Sequence, residues 1–230
     1  MILSLPDLKE LSIKHCCVTP EEPLPTHSFT PQRGPLNSLE LRRDIGEIGE
    51  ALAKSRIIST RLSLDVSVTG LEQLLMLSSE MVVELKLYGM WFLRILRRSR
   101  DNSDRLPDTL AEGTVPTHLP SLPALTTLVI CLFADGPSPH FTNILCSIGS
   151  TPALTSIVIE YHGWKSAEHL PLAGLWVDVD RWLSRIAERA EVTGGLLLTL
   201  TQWPKGKLVW EGFLPEFRES GGKIKVDRRW

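Results

Sequence analysis

Short runs with an aliphatic residue at every second position recur along the chain. They are Leu11/Ile13, Leu39/Leu41, Leu62/Leu64/Val66, Leu85/Leu87, Leu128/Ile130/Leu132, Ile157/Ile159, Leu198/Leu200 and Ile224/Val226. Alternation sends successive side chains to opposite faces of an extended segment, so the pattern predicts eight strands, each with one aliphatic face. The first residues of these runs are spaced 28, 23, 23, 43, 29, 41 and 26 positions apart. A further apolar residue stands three positions ahead of the first in Leu8-x-x-Leu11, Leu36-x-x-Leu39, Val82-x-x-Leu85, Leu125-x-x-Leu128 and Leu154-x-x-Ile157.

Between the runs the rhythm changes to a helical one. "DIGEIGEALAKS" from Asp44, "TGLEQLLMLSSE" from Thr69, "HFTNILCSIGS" from His140 and "DVDRWLSRIAERAE" from Asp178 read as helical return segments. In the last, Val179, Trp182, Leu183, Ile186, Ala187 and Ala190 share one helical face, while Asp180, Arg181, Arg185, Glu188 and Arg189 fall mostly on the other.

The phrase L-x-x-L-x-L at intervals of about 20–29 residues is how leucine-rich repeats write a strand and its turn, and five of the seven spacings lie in that range. One strand with one helix is too small to bury its own apolar face, so stacked units share a core and form a parallel sheet. The expected fold is α/β, a leucine-rich-repeat-like solenoid with a curved parallel sheet, helical return segments and irregular repeats, occupying residues 1–230 as a single domain. A doubly wound sheet also alternates strands and helices and is the competing architecture. The two long spacings imply insertions near 94–120 and 162–177. After the strands, Cys16 is followed at the equivalent position by Asp44, Ser67, Met90, Phe133, His162 and Trp203, so a regular asparagine ladder is absent.

Composition narrows the classes. Of 230 residues, 43% are hydrophobic and 23% charged, which suits a globular core rather than a disordered chain. The formal charge of −2 offers no broad basic field for a phosphate backbone, so nucleic acid is not an expected partner. Cys16, Cys17, Cys131 and Cys146 show neither metal spacing nor the density of a secreted disulfide scaffold. The first residues carry no basic leader, and no stretch of about 18 apolar residues lacks charge, so neither a secretory signal nor a membrane partner is expected. The expected location is intracellular, cytoplasmic or nuclear.

"LPSLPALTTLVICLF", "FTNILCSIGSTPALTSIVIEY", "VDVDRWLSRIAE" and "LPEFRESGGKIKVD" together resemble the leucine-rich C-terminal region of F-box proteins from mushroom-forming fungi. "PLNSLEL" and "GLEQLLMLSSEMVVELKLYGMW" follow the same style. The resemblance implies a substrate-recognition role in a cullin-type ubiquitin ligase, with a protein or peptide client on the repeats. Adaptor binding would come only through an N-terminal F-box, which no segment here resembles because the ladder starts at Leu8.

The residues between the aliphatic ones are expected to face the opposite, concave side, Glu40 and Arg42 among them. There Val129, Cys131, Val158 and Leu197 form an apolar patch rimmed by Lys86, Tyr88 and Glu160, the expected client-binding surface. Long loops folded over this patch would bury it instead. Arg94, Arg97, Arg98 and Arg100 form a basic cluster suited to an acidic peptide or phosphate, although such a run is more simply a solvated face opening a loop.

Asp178-x-Asp180 has the look of a metal-holding carboxylate pair, but at a predicted helix start the helix dipole gives acidic residues a simpler purpose. His15, His27, His118, His140, His162 and His169 fall singly, without metal-ligand spacing. Of the tryptophans, Trp182 belongs on the apolar helix face, while Trp203 and Trp210 flank "PKGK" as candidate anchors. No G-x-S-x-G elbow, P-loop or dinucleotide fingerprint occurs. The expectation is a non-enzymatic chain with no cofactor and no metal. The rivals are an enzyme with a pocket beneath the insertions, or a diverged repeat protein without a retained partner.

Overall fold

The computed structural model describes residues 8–14, 34–42, 48–65, 70–89, 120–133, 151–162, 173–189, 195–201 and 214–227. In chain order they form β1 (Glu10–Lys14), β2 (Ser38–Arg42), α1 (Ile48–Lys54), β3 (Arg61–Asp65), α2 (Leu71–Ser78), β4 (Glu84–Gly89), β5 (Thr127–Phe133), β6 (Ser156–His162), α3 (Ala173–Arg189), β7 (Leu197–Thr201), α4 (Pro215–Glu219) and β8 (Lys223–Asp227). All eight strands belong to one open, fully parallel sheet whose spatial order is the sequence order, β1 to β8.

Register follows the aliphatic pattern. Leu11, Leu39, Leu62, Leu85, Leu128, Ile157, Leu198 and Ile224 pair in turn across the sheet, and so do Ile13, Leu41, Leu64, Leu87, Ile130, Ile159, Leu200 and Val226. A slip of one residue would turn either row to the other face, so burial of the rows fixes the pairing. From Leu39 to Leu198 the first row is at most 1% exposed, whereas Ile224 at the sheet's end is only half-buried. Each fully buried aliphatic side chain contributes roughly 1.5–3 kcal/mol.

Strand-to-strand crossovers are right-handed, so steps that always advance in one direction put every return segment on the same face. The four described helices agree. Leu52 of α1, Leu71, Leu74 and Leu75 of α2, Trp176, Val179, Trp182 and Leu183 of α3 and Phe217 of α4 all join one apolar cluster with the two rows. A doubly wound sheet needs a reversal of strand order, with helices on both faces. The described strands contain no reversal, which overturns that architecture.

Where the chain enters each strand, a second set of rungs forms. The Asn37 N–H donates to the Lys9 carbonyl, Val83 to Thr60, Thr126 to Val83, Thr155 to Thr126, Leu197 to Thr155 and Lys223 to Leu196, at 2.7–3.0 Å. The hydroxyls of Thr60, Thr126 and Thr155 reach back to the carbonyls of Asn37, Val83 and Thr126 at 3.0, 3.1 and 3.2 Å. Ser59 stands where neighbouring units carry leucine or valine. It is fully buried but satisfied, its N–H bonded to Ser78 Oγ (3.2 Å) and its own hydroxyl to the Arg61 carbonyl (2.8 Å). In the last two units the equivalent residues are Gly195 and Gly221, with φ of +77° and +83°. A Cβ on Gly195 would lie 2.6 Å from the Gly221 carbonyl oxygen.

Several expected boundaries move. The last long helix begins at Ala173, not Asp178, and buried Trp176, three residues ahead of Val179, extends the same apolar face upstream. Asp180 therefore sits inside α3, on its buried side, and not at its start or on its solvated face. Its carboxylate accepts the backbone N–H groups of Phe217 (2.8 Å, Oδ1) and Glu216 (3.1 Å, Oδ2). It thereby caps the short helix α4, whose preceding residue Leu214 makes no side-chain cap. Asp178 instead pairs with Arg181 at 3.5 Å on the exposed side. The insertion expected at 162–177 is shortened at both ends, since His162 closes β6 and residues 173–177 open α3. The insertion at 94–120, apart from Pro120, and the helix expected from His140 lie outside the described residues. No described helix is long and apolar enough to cross a membrane.

Candidate functional site: the second face of the sheet

The side chains between the two aliphatic rows point away from the helices and stand in rows of their own. One row runs Ser12, Glu40, Ser63, Lys86, Val129, Val158, Thr199 and Lys225. Beside it Asp65, Tyr88, Cys131, Glu160, Thr201 and Asp227 pair in turn, with Lys14 opposite Arg42 at the first strands. Parallel strands lie about 4.8 Å apart, so each side chain is in reach of the next rung's.

At the N-terminal end Glu40 collects three partners. Ser12 Oγ and Lys14 Nζ each lie 2.8 Å from Oε2, and the Arg42 guanidinium pairs with Oε1. Burial alone would raise the Glu40 carboxyl, but the hydrogen bonds from Lys14 and Ser12 outweigh it and hold it below the usual carboxylate range. Arg42 then passes the network on. Its guanidinium lies over the Tyr88 ring, 4.0 Å from the centroid, and it also donates to the Tyr88 hydroxyl. Lys86 Nζ approaches the same ring at 5.4 Å.

The second node is Glu160. Lys86 Nζ lies 2.8 Å from Oε2, the Cys131 thiol donates to the same oxygen at 3.2 Å, and His162 Nε2 stands 3.3 Å from it. Burial pushes the Glu160 carboxyl up, yet the bonds from Lys86 and Cys131 prevail and leave it below its ordinary value. For Lys86 the opposition is mirrored: burial would lower it, the bond to Glu160 raises it, and the net position is above the ordinary lysine value. Burial and the neighbouring Glu160 charge push the Cys131 thiol far up. A fully buried, protonated thiol that donates to a carboxylate is not an activated nucleophile.

The expected patch is brought together, but not as an exposed surface. Tyr88, Val129 and Cys131 are buried, and with half-buried Val158 they form an apolar cluster separate from the main core. Register supplies a reason. Lys86 stands beside Val129, and Tyr88 and Glu160 stand on either side of Cys131, so these longer neighbours shade the shorter side chains, while Val158 covers the other side of Val129. Leu197 lies one strand further along, half-buried, level with Ser156. Solvent meets charge instead: Lys86 and Glu160 are each 22% exposed, and the Arg61 side chain is 68% exposed beside Glu84.

The alternation that marks Lys86, Tyr88, Cys131 and Glu160 also puts Glu40 and Arg42 on this face, outside the expected patch, but passes over His162. His162 stands at the turn position of the repeat phrase, yet β6 continues through it and places it level with Phe133. Glu160-x-His162 was the available signal, since two residues apart on a strand means the same face. Arg94, Arg97, Arg98 and Arg100, like Trp203 and Trp210, lie outside the described residues, whereas Trp176 and Trp182 are core. Comparison with known proteins gives no match to any family model, curated protein or solved structure.

Proposed function

We propose that this chain is a curved, leucine-rich-repeat-like solenoid that binds a protein or peptide client on the second, concave face of its sheet. The observation that carries this reading is the segregation of the two faces. The helices and the aliphatic rows share one side, while the other bears linked, mixed-sign charges in register. Repeated strand entries bonded rung to rung favour a solenoid over a compact sheet. A formal charge of −2 and charges of both signs suit a protein surface better than a phosphate backbone or a membrane. On the resemblance of its repeat phrases, the client would be a ubiquitin-ligase substrate, and an adaptor would bind only through an F-box outside these residues.

Burial revises the contact set. Lys86, Glu160, Val158 and Leu197 remain accessible in part, the exposed charges of Lys14, Arg42, Arg61 and Glu84 extend the surface, and Tyr88, Val129 and Cys131 hold it in shape from below. The enzyme reading would place its pocket beneath insertions that lie mostly outside the described residues, and its supporting observation is the convergence of groups at Glu160.

The test is affinity purification of the full-length protein from its native cells, with two charge-reversal variants. Lys14→Glu/Arg61→Glu alters the proposed face, and Arg185→Glu/Arg189→Glu alters the exposed side of α3. A client retained by wild type and the α3 variant but lost from the face variant supports the proposal. Equal recovery from all three, or no client from any, contradicts it.

A further inference from the structure

We propose that Cys131, Glu160 and His162 form a binding site for a divalent cation of the zinc class. The residues come from adjacent strands, with Cys131 opposite Glu160 and His162 two residues beyond Glu160 on the same face. Their ligand atoms, one sulfur, one carboxylate oxygen and one imidazole nitrogen, all lie within 4.8 Å of one another. The shorter separations are 3.2 Å from Sγ to Oε2 and 3.3 Å from Nε2 to Oε2. In a tetrahedral zinc site, bonds of about 2.3 Å to sulfur and about 2.0–2.1 Å to nitrogen and oxygen set ligand–ligand edges of about 3.3–3.6 Å. Two of the three edges, both at Glu160, therefore stand near the coordination distances already, and the third, Sγ to Nε2, lies within 4.8 Å and closes on the metal by a side-chain rotation of His162, on strands whose register is fixed by the buried rows.

The donor set selects the metal. A thiolate and an imidazole suit zinc or cobalt(II) and are poor ligands for magnesium or calcium, which take oxygen. Coordination requires the thiolate, so the Cys131 proton is released to solvent as the Sγ–metal bond replaces the Sγ–H···Oε2 hydrogen bond. Thiolate and carboxylate then neutralise the two positive charges, with a neutral His162 as third ligand and one position left for water. Lys86 becomes the surplus cation. Its ammonium, 2.8 Å from Glu160 Oε2, competes for the oxygen the metal needs. Removing that charge therefore tightens the site, an effect that distinguishes it from adventitious binding elsewhere on the chain.

Cobalt(II) titration of the full chain, reduced with a thiol-free reagent, reads the site directly, because a thiolate ligand gives a near-ultraviolet charge-transfer band. The expected result is one equivalent bound with that band, displaced by zinc and not by magnesium. Cys131→Ser abolishes the band, His162→Gln weakens affinity about tenfold or more, and Lys86→Met strengthens it. His162 is half-buried at the end of β6, so His162→Gln remains informative if Cys131→Ser fails to fold. Absence of the band at saturating cobalt overturns the proposal, as does a band of unchanged affinity in His162→Gln. The readout is independent of any client, so loss of the docking proposal would leave it standing.

Discussion

At the residue scale, Glu160 is where the second face is most tightly tied. Its carboxyl is held below its ordinary value, so it contributes stability at neutral pH that is lost as pH falls through the lowered value. Lys86 is raised, so its contribution is present below the ordinary lysine value and is lost as pH rises through the raised one. Glu160→Gln is expected to cost about 1.5–3 kcal/mol at pH 7, the range for a lost charge-assisted hydrogen bond. Urea unfolding at neutral and acidic pH checks this, because wild type and variant should begin to converge as pH falls past the ordinary carboxylate value and meet once it is below the lowered one. A gap that stays constant with pH would assign the loss to packing. Alternation alone singled out Cys131 and Glu160 in the sequence, but not their convergence on His162. Glu160-x-His162 carried that signal, but only if β6 runs on through the position that the repeat phrase gives to a turn.

At the element scale, α3 and α4 depend on each other. Asp180→Ala removes the acceptor for two N–H groups at the start of α4 and is expected to destabilise the chain by about 1–2 kcal/mol. Asp178→Ala, on the exposed side, should change stability by less than about 0.5 kcal/mol. Equal effects, measured by chemical denaturation, would remove the capping role. Gly195→Ala is expected to cost about 1–3 kcal/mol, because the residue has positive φ and faces a carbonyl oxygen at 2.6 Å. The strands were legible because each carries an aliphatic pair at period two. The helices were less so. Acidic residues at Asp178 and Asp180 imitate a helix start, whereas the true first turns lie in apolar "AGLWV". At five residues, α4 is too short to show a helical period, so the sequence reading missed it.

At the scale of the whole molecule, stability should depend on position in the sheet. Leu85→Ala, within the central row, is expected to cost about 2–5 kcal/mol, and Val226→Ala, half-buried on the last strand, clearly less. The strand ladder was readable at this scale too. Connection lengths vary widely, yet the first aliphatic residue of every run pairs with the first of the next, because only that register buries both rows. Accessibility of the second face was not readable, since shading depends on which side chains become neighbours across strands. The most direct test is a set of distances along the sheet, measured by pulsed electron spin resonance between labels carried on non-natural amino acids, which leaves the native thiols free. Pairing position 10 with 84, 156 or 223 spans three, five or seven strand steps, one label at each end of the span. Backbone separations should rise in that order, to no more than about 14, 24 and 34 Å at about 4.8 Å per step. A series that reverses, with position 223 closer to position 10 than position 156 is, would contradict the sequential parallel sheet on which both proposed sites depend.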